Sequence, residues 1–252
     1  MYIDTHVHLN SDALFQEADH YIKKALAKGV STLIVIGFDH ETNKRAIKLA
    51  HQYDNIYASV GYHPTEANHI KEEDFKILEN YLQDEKVVAV GECGLDLYWD
   101  KTHVKEQVEV FTKQIKLSKK YDKPLSIHMR DASELLYETI KKEAPLKGIM
   151  HCYSGSTEMA SKFLDLGLHI SLGGPVTFKN AKTPKEVAKA VPIERLLIET
   201  DAPYLAPHPY RGKQNDSSLL PLIAESIAKI REESIEYIAT NTSNNAKKLF
   251  NI

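Results

Sequence analysis

The sequence alternates short apolar runs, rich in β-branched residues, with longer segments whose apolar residues recur at helical spacing. Parallel strands need crossover connections, which are usually helices, so this alternation predicts βαβ units and a parallel sheet. The predicted strands are Tyr2–Thr5, Thr32–Ile36, Ile56–Val60, Val87–Gly91, Leu125–His128, Gly148–His151, His169–Leu172 and Leu196–Thr200. Eight strands close a TIM-type barrel, so we predict an α/β protein with a single-domain (β/α)8 barrel over residues 1–252.

The segments between and after these strands predict amphipathic helices. They are Asp19–Ala27, Glu41–Gln52, Asp74–Leu82, Val104–Lys120, Ser133–Glu143, Glu158–Leu166, Glu186–Ala190, Leu220–Arg231 and Glu236–Leu249. An open doubly wound sheet uses the same alternation of strand and helix. Against that alternative, the first strand has no glycine-rich turn and carries histidines instead.

Net charge and the cysteine content restrict the environment and the partners. A net charge of −3 gives no global attraction to nucleic acid or to an anionic membrane, so any polyanion must be bound locally. No secretory signal or apolar run of about 18 residues is present, which predicts a soluble, cytoplasmic protein without membrane contact. The sequence indicates no obligate protein partner. Cys93 and Cys152 are too few for a disulfide scaffold, and we interpret them as packing residues that point away from the neighbouring polar positions.

Histidines and carboxylates occur where predicted strands end. His6 and His8 are two residues apart, so their side chains share one face of the first strand. Barrel enzymes place their sites at the carboxyl ends of strands. The further residues of this kind at such ends are Glu92, His128, His151 and Asp201.

Any one of these residues has a simpler explanation as a helix cap or a hydrogen-bonded core group. All six on one rim would leave buried polar groups short of partners, whereas two divalent cations would satisfy them. Nitrogen and oxygen donors suit Zn, Mn, Fe, Ni or Co, and also Mg with waters, but not Cu(I) or an iron–sulfur cluster. The sequence therefore predicts two divalent metal ions.

Five ordered segments resemble the successive motifs of the TatD family of metal-dependent deoxyribonucleases, and the resemblance continues through Arg211-Gly212-Lys213 to cover nearly the whole chain. The segments are His6-Val7-His8, Gly91-Glu92-Cys93-Gly94-Leu95-Asp96, His128-Met129-Arg130-Asp131-Ala132, His151-Cys152-Tyr153-Ser154-Gly155 and Glu199-Thr200-Asp201-Ala202-Pro203-Tyr204-Leu205. Each motif alone is modest, but the ordered set is highly specific.

The resemblance implies an amidohydrolase-like barrel that hydrolyses phosphodiester bonds of DNA. It also implies a ligand set in which His6, His8 and Asp201 bind one metal, His128 and His151 bind the other, and Glu92 bridges both. One departure is visible, because Asp216-Ser217 stands where the family pattern leads us to expect Glu-Pro. This departure bears on the loop after the eighth strand and on substrate fit there, but not on the ligands.

Catalytic and substrate-binding roles follow from this ligand set. Two cations activate a shared water and stabilise the attacking and leaving oxygens, so Glu92 is catalytic as the bridge. Asp201 is our candidate for accepting the proton, with a role as ligand only as the alternative. His63, Arg130 and Arg211 are candidates for phosphate contacts, with a turn cap for His63 and helix caps or surface ion pairs for the arginines as alternatives.

Three other residues are further candidates for a role near the site. Glu199 shares the face of Asp201 and is a candidate for supporting a ligand. Trp99, with Tyr98, stacks a base in one interpretation and packs as a lid on the barrel in the other, which we favour.

The predicted substrate is a single strand or a strand end of DNA, shortened in an exonuclease-like manner. Because few phosphates are neutralised, we expect a shallow dependence on salt. One alternative is the same barrel hydrolysing a small ester, amide or phosphoester that is not a nucleic acid. Another is a metal-binding regulatory protein without turnover.

Overall fold

The computed structural model describes residues 1–252, and it confirms the single-domain (β/α)8 TIM-type fold. The strands are β1 Tyr2–Val7, β2 Val30–Ile36, β3 Ile56–Val60, β4 Val87–Asp96, β5 Leu125–Arg130, β6 Gly148–Met150, β7 His169–Leu172 and β8 Leu196–Ile198. The helices are α1 Ala18–Ala27, α2 His40–Gln52, α3 Glu72–Tyr81, α4 Val104–Tyr121, α5 Ser133–Glu143, α6 Thr157–Asp165, α7 Thr183–Ala190, α8 Leu220–Arg231 and α9 Ile235–Phe250.

The strands pair in sequence order from β1 to β8, and every pair is parallel. Contacts just beyond the last strand bring the two edges of the sheet together. The Asp201 N–H donates to the His6 carbonyl at 2.9 Å, and the His8 N–H donates to the Ala202 carbonyl at 2.8 Å. The sheet is therefore a nearly closed barrel, and the open doubly wound alternative is wrong.

Each helix covers the barrel with one apolar face. In α4, Val110, Phe111 and Ile115 are buried and recur at spacings of one and four residues, as a helix with one covered face requires. Burial of one such side chain contributes about 1.5–3 kcal/mol. No helix combines the length and the apolar character needed to span a membrane.

Strand β4 extends farther than the sequence indicates. The predicted strand ends at Gly91, but the observed one continues to Asp96 after an irregularity in its register with β5. A Cβ atom on Gly94 would lie 2.1 Å from the carbonyl oxygen of His128, so only glycine allows this approach of the two strands. The close pairing sets Glu92 on β4 beside His128 on β5.

Candidate metal centre

The polar residues predicted at the strand ends converge on one cavity of about 540 Å³ at the carboxyl face of the barrel. Five of the six predicted metal ligands line it, and His6 lies fully buried below them. The lining ligands are His8, Glu92, His128, His151 and Asp201.

Glu92 lies between two pairs of imidazoles. Its Oε2 atom is 3.7 Å from Nε2 of His6 and 3.4 Å from Nε2 of His8. Its Oε1 atom is 2.8 Å from Nδ1 of His128 and 3.0 Å from Nε2 of His151. Each carboxylate oxygen therefore faces its own pair of nitrogen donors.

Asp201 lies on the side of His6 and His8. Its Oδ1 atom is 3.5 Å from Nε2 of His8 and 3.8 Å from Nε2 of His6. Thr200, the residue before Asp201, is held by the buried carboxylate of Asp4. This carboxylate accepts hydrogen bonds from the Thr200 N–H at 2.9 Å and from the Thr200 hydroxyl at 2.5 Å. The first strand and the residue that follows it thus carry two histidines of the site, and the strand also anchors the segment that carries Asp201.

The second ring nitrogen of each of these four histidines has its own partner. Such partners fix ring orientation and tautomer, as they do for histidines that bind metals. The pairs are His6 Nδ1 with Ser126 Oγ at 3.1 Å, His8 Nδ1 with the Ile36 carbonyl at 3.1 Å, His128 Nε2 with Asp96 Oδ2 at 3.0 Å, and His151 Nδ1 with Glu199 Oε1 at 3.3 Å.

The sequence reasoning considered Glu199 as a supporting residue but missed Asp96 and Ser126. The sequence does contain a signal for both residues, because side chains an even number of positions apart on a strand share one face. Asp96 follows Glu92 by four residues on β4, and Ser126 precedes His128 by two on β5.

The electrostatics of the cluster keep Glu92 ionised, whereas the pKa values of the histidines shift in opposite directions. Burial would raise the pKa of Glu92, but His151, His63 and His128 outweigh burial and hold that pKa well below its usual range. Burial, together with His151, lowers the pKa of His6. Burial opposes protonation of His8, His128 and His151, but the neighbouring carboxylates outweigh burial and raise the pKa of each. Metal binding requires an ionised carboxylate and neutral imidazoles, so a bound cation would take the place of these protons.

His63 takes the role of a turn cap and also faces the histidine cluster. Its Nδ1 atom accepts from the Thr65 N–H at 3.2 Å and so caps the short turn Pro64–Glu66. Its Nε2 atom lies 3.6 Å from Oε1 of Glu92. Burial lowers the pKa of His63 to about 3, although Glu92 opposes the shift.

The structure brings only one of the two candidate arginines to the cavity. Arg130 lines it, with its guanidinium carbon 3.9 Å from the ring centre of Tyr98. Arg211 lies over Phe178 at 4.5 Å, in a separate notch that His208 also lines.

The unexpected Asp216 faces away from the cavity. Its side chain accepts from the Ser218 N–H and lies 2.5 Å from Nζ of Lys24 on α1. Asp216 therefore attaches the loop after β8 to α1.

Two sequence interpretations are corrected. Trp99 and Tyr98 do not pack on the barrel as a lid, since their side chains are 67% and 51% exposed. Cys93 is a core residue as expected, but Cys152 is not directed away from the polar cluster. Cys152 lies beyond β6 with φ of 40°, so strand alternation no longer applies, and burial with the nearby Asp201 and Glu199 raises the pKa of its thiol.

Five of the six predicted ligands, together with His63 and Glu199, form three groups of nitrogen and oxygen donors that could hold a metal ion. The groups are His6 with His8 and Glu92, His63 with Glu92 and His128, and His6 with His151 and Glu199, with the donor atoms of each group within 4.8 Å of one another.

Comparison with known proteins places this site in a family. A family model described as TatD related DNase matches residues 3–251. The chain is 46% identical over 254 residues to the uncharacterized metal-dependent hydrolase YabD of Bacillus subtilis, with 100% of both chains covered. It is 34% identical to the uncharacterized metal-dependent hydrolase YcfH of Escherichia coli K12, with 99% of this chain and 96% of the relative covered.

A solved structure of a TatD homolog also matches this chain. The crystal structure of YJJV, a TatD homolog from Escherichia coli K12, matches with a TM-score of 0.94 and 32% identity, covering 100% of this chain and 98% of the other. Sequence, fold and the clustered histidines and carboxylates agree, and the chain belongs to the TatD related DNase family of metal-dependent hydrolases.

Proposed function

We propose that residues 1–252 form one hydrolase domain that uses two divalent metal ions to cleave phosphodiester bonds of DNA, shortening single strands from an end. The observation that carries this proposal is the placement of Glu92. Its two oxygens face separate pairs of imidazoles, which is the arrangement that a carboxylate bridging two cations requires.

The donor set supports two ions rather than one. His6, His8 and Asp201 gather on the Oε2 side of Glu92, and His128 and His151 gather on the Oε1 side. Nε2 of His6 lies only 3.2 Å from Nε2 of His8, so at most one proton fits between them, whereas one cation satisfies both. The ions are Zn, Mn, Mg, Ni, Co or Fe, which all accept such donors.

Residues in and around the cluster have separate roles in the proposed reaction. Two bound divalent ions supply Lewis-acid activation of water and neutralise charge on the phosphate. Asp201, at the rim beside His8, accepts the proton of the attacking water. Arg130 and His63 hold the phosphate oxygens at the cavity wall. Arg211, outside this cavity, meets only a more distant part of a longer strand.

The dimensions and charge of the molecule favour a strand end. A cavity of about 540 Å³ has the size of a small-molecule site, which admits a flexible terminus more readily than a rigid duplex. With a net charge of −3, the protein has no global attraction for a polyanion that would bind along many phosphates. The family name supports DNA as the polymer.

The test is a metal-reconstituted assay on an end-labelled single-stranded oligonucleotide, with a duplex, a small phosphotriester, a lactone and a cyclic amide assayed in parallel. We expect a ladder of products that shorten stepwise from one end, with a shallow dependence on salt. Random internal cuts in the duplex would contradict the exonuclease proposal. Turnover of a small ester or amide with intact oligonucleotides would favour the alternative hydrolase, and tight metal binding without any turnover would favour a regulatory protein.

A further inference from the structure

Trp99 and Arg130 line one side of the cavity, and Tyr98 stacks against Arg130; we call these three residues the aromatic wall. The guanidinium carbon of Arg130 is 3.9 Å from the ring centre of Tyr98 and 5.3 Å from that of Trp99. The two aromatic rings meet edge to face, with centroids 4.9 Å apart. Trp99 and Arg130 both line the cavity that contains Glu92 and His128.

The aromatic wall is held in a fixed position relative to the histidine cluster. One oxygen of Asp96, Oδ1, accepts from the backbone N–H groups of Tyr98 at 2.9 Å and Trp99 at 2.8 Å. The other oxygen, Oδ2, lies 3.0 Å from Nε2 of His128. A ligand that contacts both His128 and Trp99 therefore meets two groups that are positioned by the same carboxylate.

The ring of Trp99 has no packing role that explains its position. Its side chain is 67% exposed, although the ring is the largest apolar group at the rim. An exposed tryptophan at the edge of a polar cavity is a typical contact for a flat, partly apolar ligand. Arg130 lies in the same wall and lines the cavity, so its guanidinium donors would be available to a phosphate there.

The geometry points to Trp99 as the platform that stacks the nucleobase of the nucleotide whose phosphate occupies the cavity, with Arg130 contacting that phosphate. This inference rests on the proposed function and specifies its substrate. The platform accepts any base, because every base presents a π face.

The platform also explains discrimination between strand types. Inside a duplex each base is covered on both faces by its neighbours, so no face is free for Trp99. A terminal or unpaired base has a free face and stacks without the cost of unstacking, which is a few kcal/mol for a base removed from a duplex. The aromatic wall therefore selects single strands and frayed ends.

The first test removes the Trp99 ring and the terminal nucleobases, first separately and then together. Wild type, Trp99→Ala and Trp99→Phe are assayed on an oligonucleotide and on the same oligonucleotide with its terminal residues lacking their bases. We expect Trp99→Ala to raise KM about 5- to 150-fold, the range for loss of one stacked base, and Trp99→Phe to stay near wild type. Loss of the terminal bases should raise KM by a similar factor in wild type and leave Trp99→Ala almost unchanged. If loss of the terminal bases raised KM by the same factor in Trp99→Ala as in wild type, the ring and the bases would act independently, and the inference would be overturned.

A control variant separates stacking from general loss of an exposed ring. Tyr237→Ala removes a partly exposed aromatic side chain on α9, outside the cavity, and should leave both KM values unchanged. A rise in KM for Tyr237→Ala equal to that for Trp99→Ala would also overturn the inference.

Fluorescence distinguishes a failure of stacking from a failure of the proposed function. Trp99 is the single tryptophan of the chain, so its emission reports on this position alone. In stopped-flow mixing, before cleavage, the oligonucleotide should quench this emission, and its abasic form should not. If wild type cleaves no phosphodiester, the proposed function fails, and fluorescence alone decides the stacking. Equal quenching by both strands, or none by either, would overturn the inference.

Discussion

The Oδ2 atom of Asp96 lies 3.0 Å from Nε2 of His128, on the opposite side of the imidazole from Glu92. The other ring nitrogen, Nδ1, faces Oε1 of Glu92 at 2.8 Å. A carboxylate on Nε2 keeps the proton of a neutral His128 on that nitrogen and leaves the Nδ1 lone pair free. Asp96 therefore prepares His128 to donate to a cation beside Glu92.

Asp96→Asn is expected to lower the affinity for divalent metal about 10- to 100-fold. The amide can donate to Nε2, which would leave the proton of His128 on Nδ1, where a cation should bind. Calorimetric titration of metal-free protein measures the change. Asp100→Asn is the matched control, because Asp100 pairs with His103 and not with the cluster. Equal affinities for wild type and Asp96→Asn would contradict this role.

Asp201→Asn should reduce kcat by about 10²- to 10⁴-fold while leaving most of the bound metal in place. The amide keeps an oxygen near His8 but cannot accept a proton from water. Steady-state kinetics and elemental analysis of the same sample measure the two effects. Asp131→Asn, at an exposed position just beyond β5, is the control. Turnover near the wild-type rate would show that Asp201 is not the proton acceptor.

Gly94→Ala should destabilise the protein by roughly 3 kcal/mol, since the new Cβ overlaps the His128 carbonyl and the backbone has φ of +136°. Urea unfolding, followed by circular dichroism, measures the free energy of unfolding. Gly212→Ala is the matched control, because Gly212 also has positive φ but no atom lies within 4 Å of its added Cβ. Equal losses in both variants would contradict the steric explanation.

His169 should make the fold sensitive to acid. Burial, helped by Arg195, lowers the pKa of His169 in the folded protein to about 4 from its usual 6.5. The unfolded chain therefore binds the proton first, and the free energy of unfolding falls as the pH drops from about 6.5 to about 4. His169→Gln should lose less stability over this interval in urea unfolding at several pH values. If the free energy of unfolding fell more steeply with decreasing pH in the variant than in wild type, the prediction would be contradicted.

The fold was predictable because its strands are short, apolar and regularly separated by helical segments. Only the bounds of the strands and of some helices differ from the prediction. The run Val87–Gly91 is interrupted by a charged residue, and sequence alone does not show that Glu92 remains inside the barrel while β4 continues to Asp96. That continuation depends on the close approach at Gly94, which is a property of the β4–β5 pair.

The site was predictable where a residue ends a strand, and not where it lies in a loop. Arg130 is the last residue of β5, so its direction is set by the barrel. Arg211 lies in the long segment after β8, whose path depends on contacts such as that with Phe178. Asp96 was overlooked because it supports a histidine instead of facing the centre of the cluster. The only sequence signal for this role is its even spacing from Glu92 along the strand.

The content of bound metal tests the central claim most directly. Wild type, Glu92→Ala and Glu66→Ala should be stripped, reconstituted and measured by elemental analysis, with folding checked by circular dichroism. Glu66 lines the same cavity but belongs to none of the donor groups, so its variant is the matched control. We predict two ions per chain in wild type and Glu66→Ala, and fewer than one in folded Glu92→Ala, because both ions share that carboxylate. A wild type that retains no metal, or a Glu92→Ala variant that retains two ions, would contradict the account.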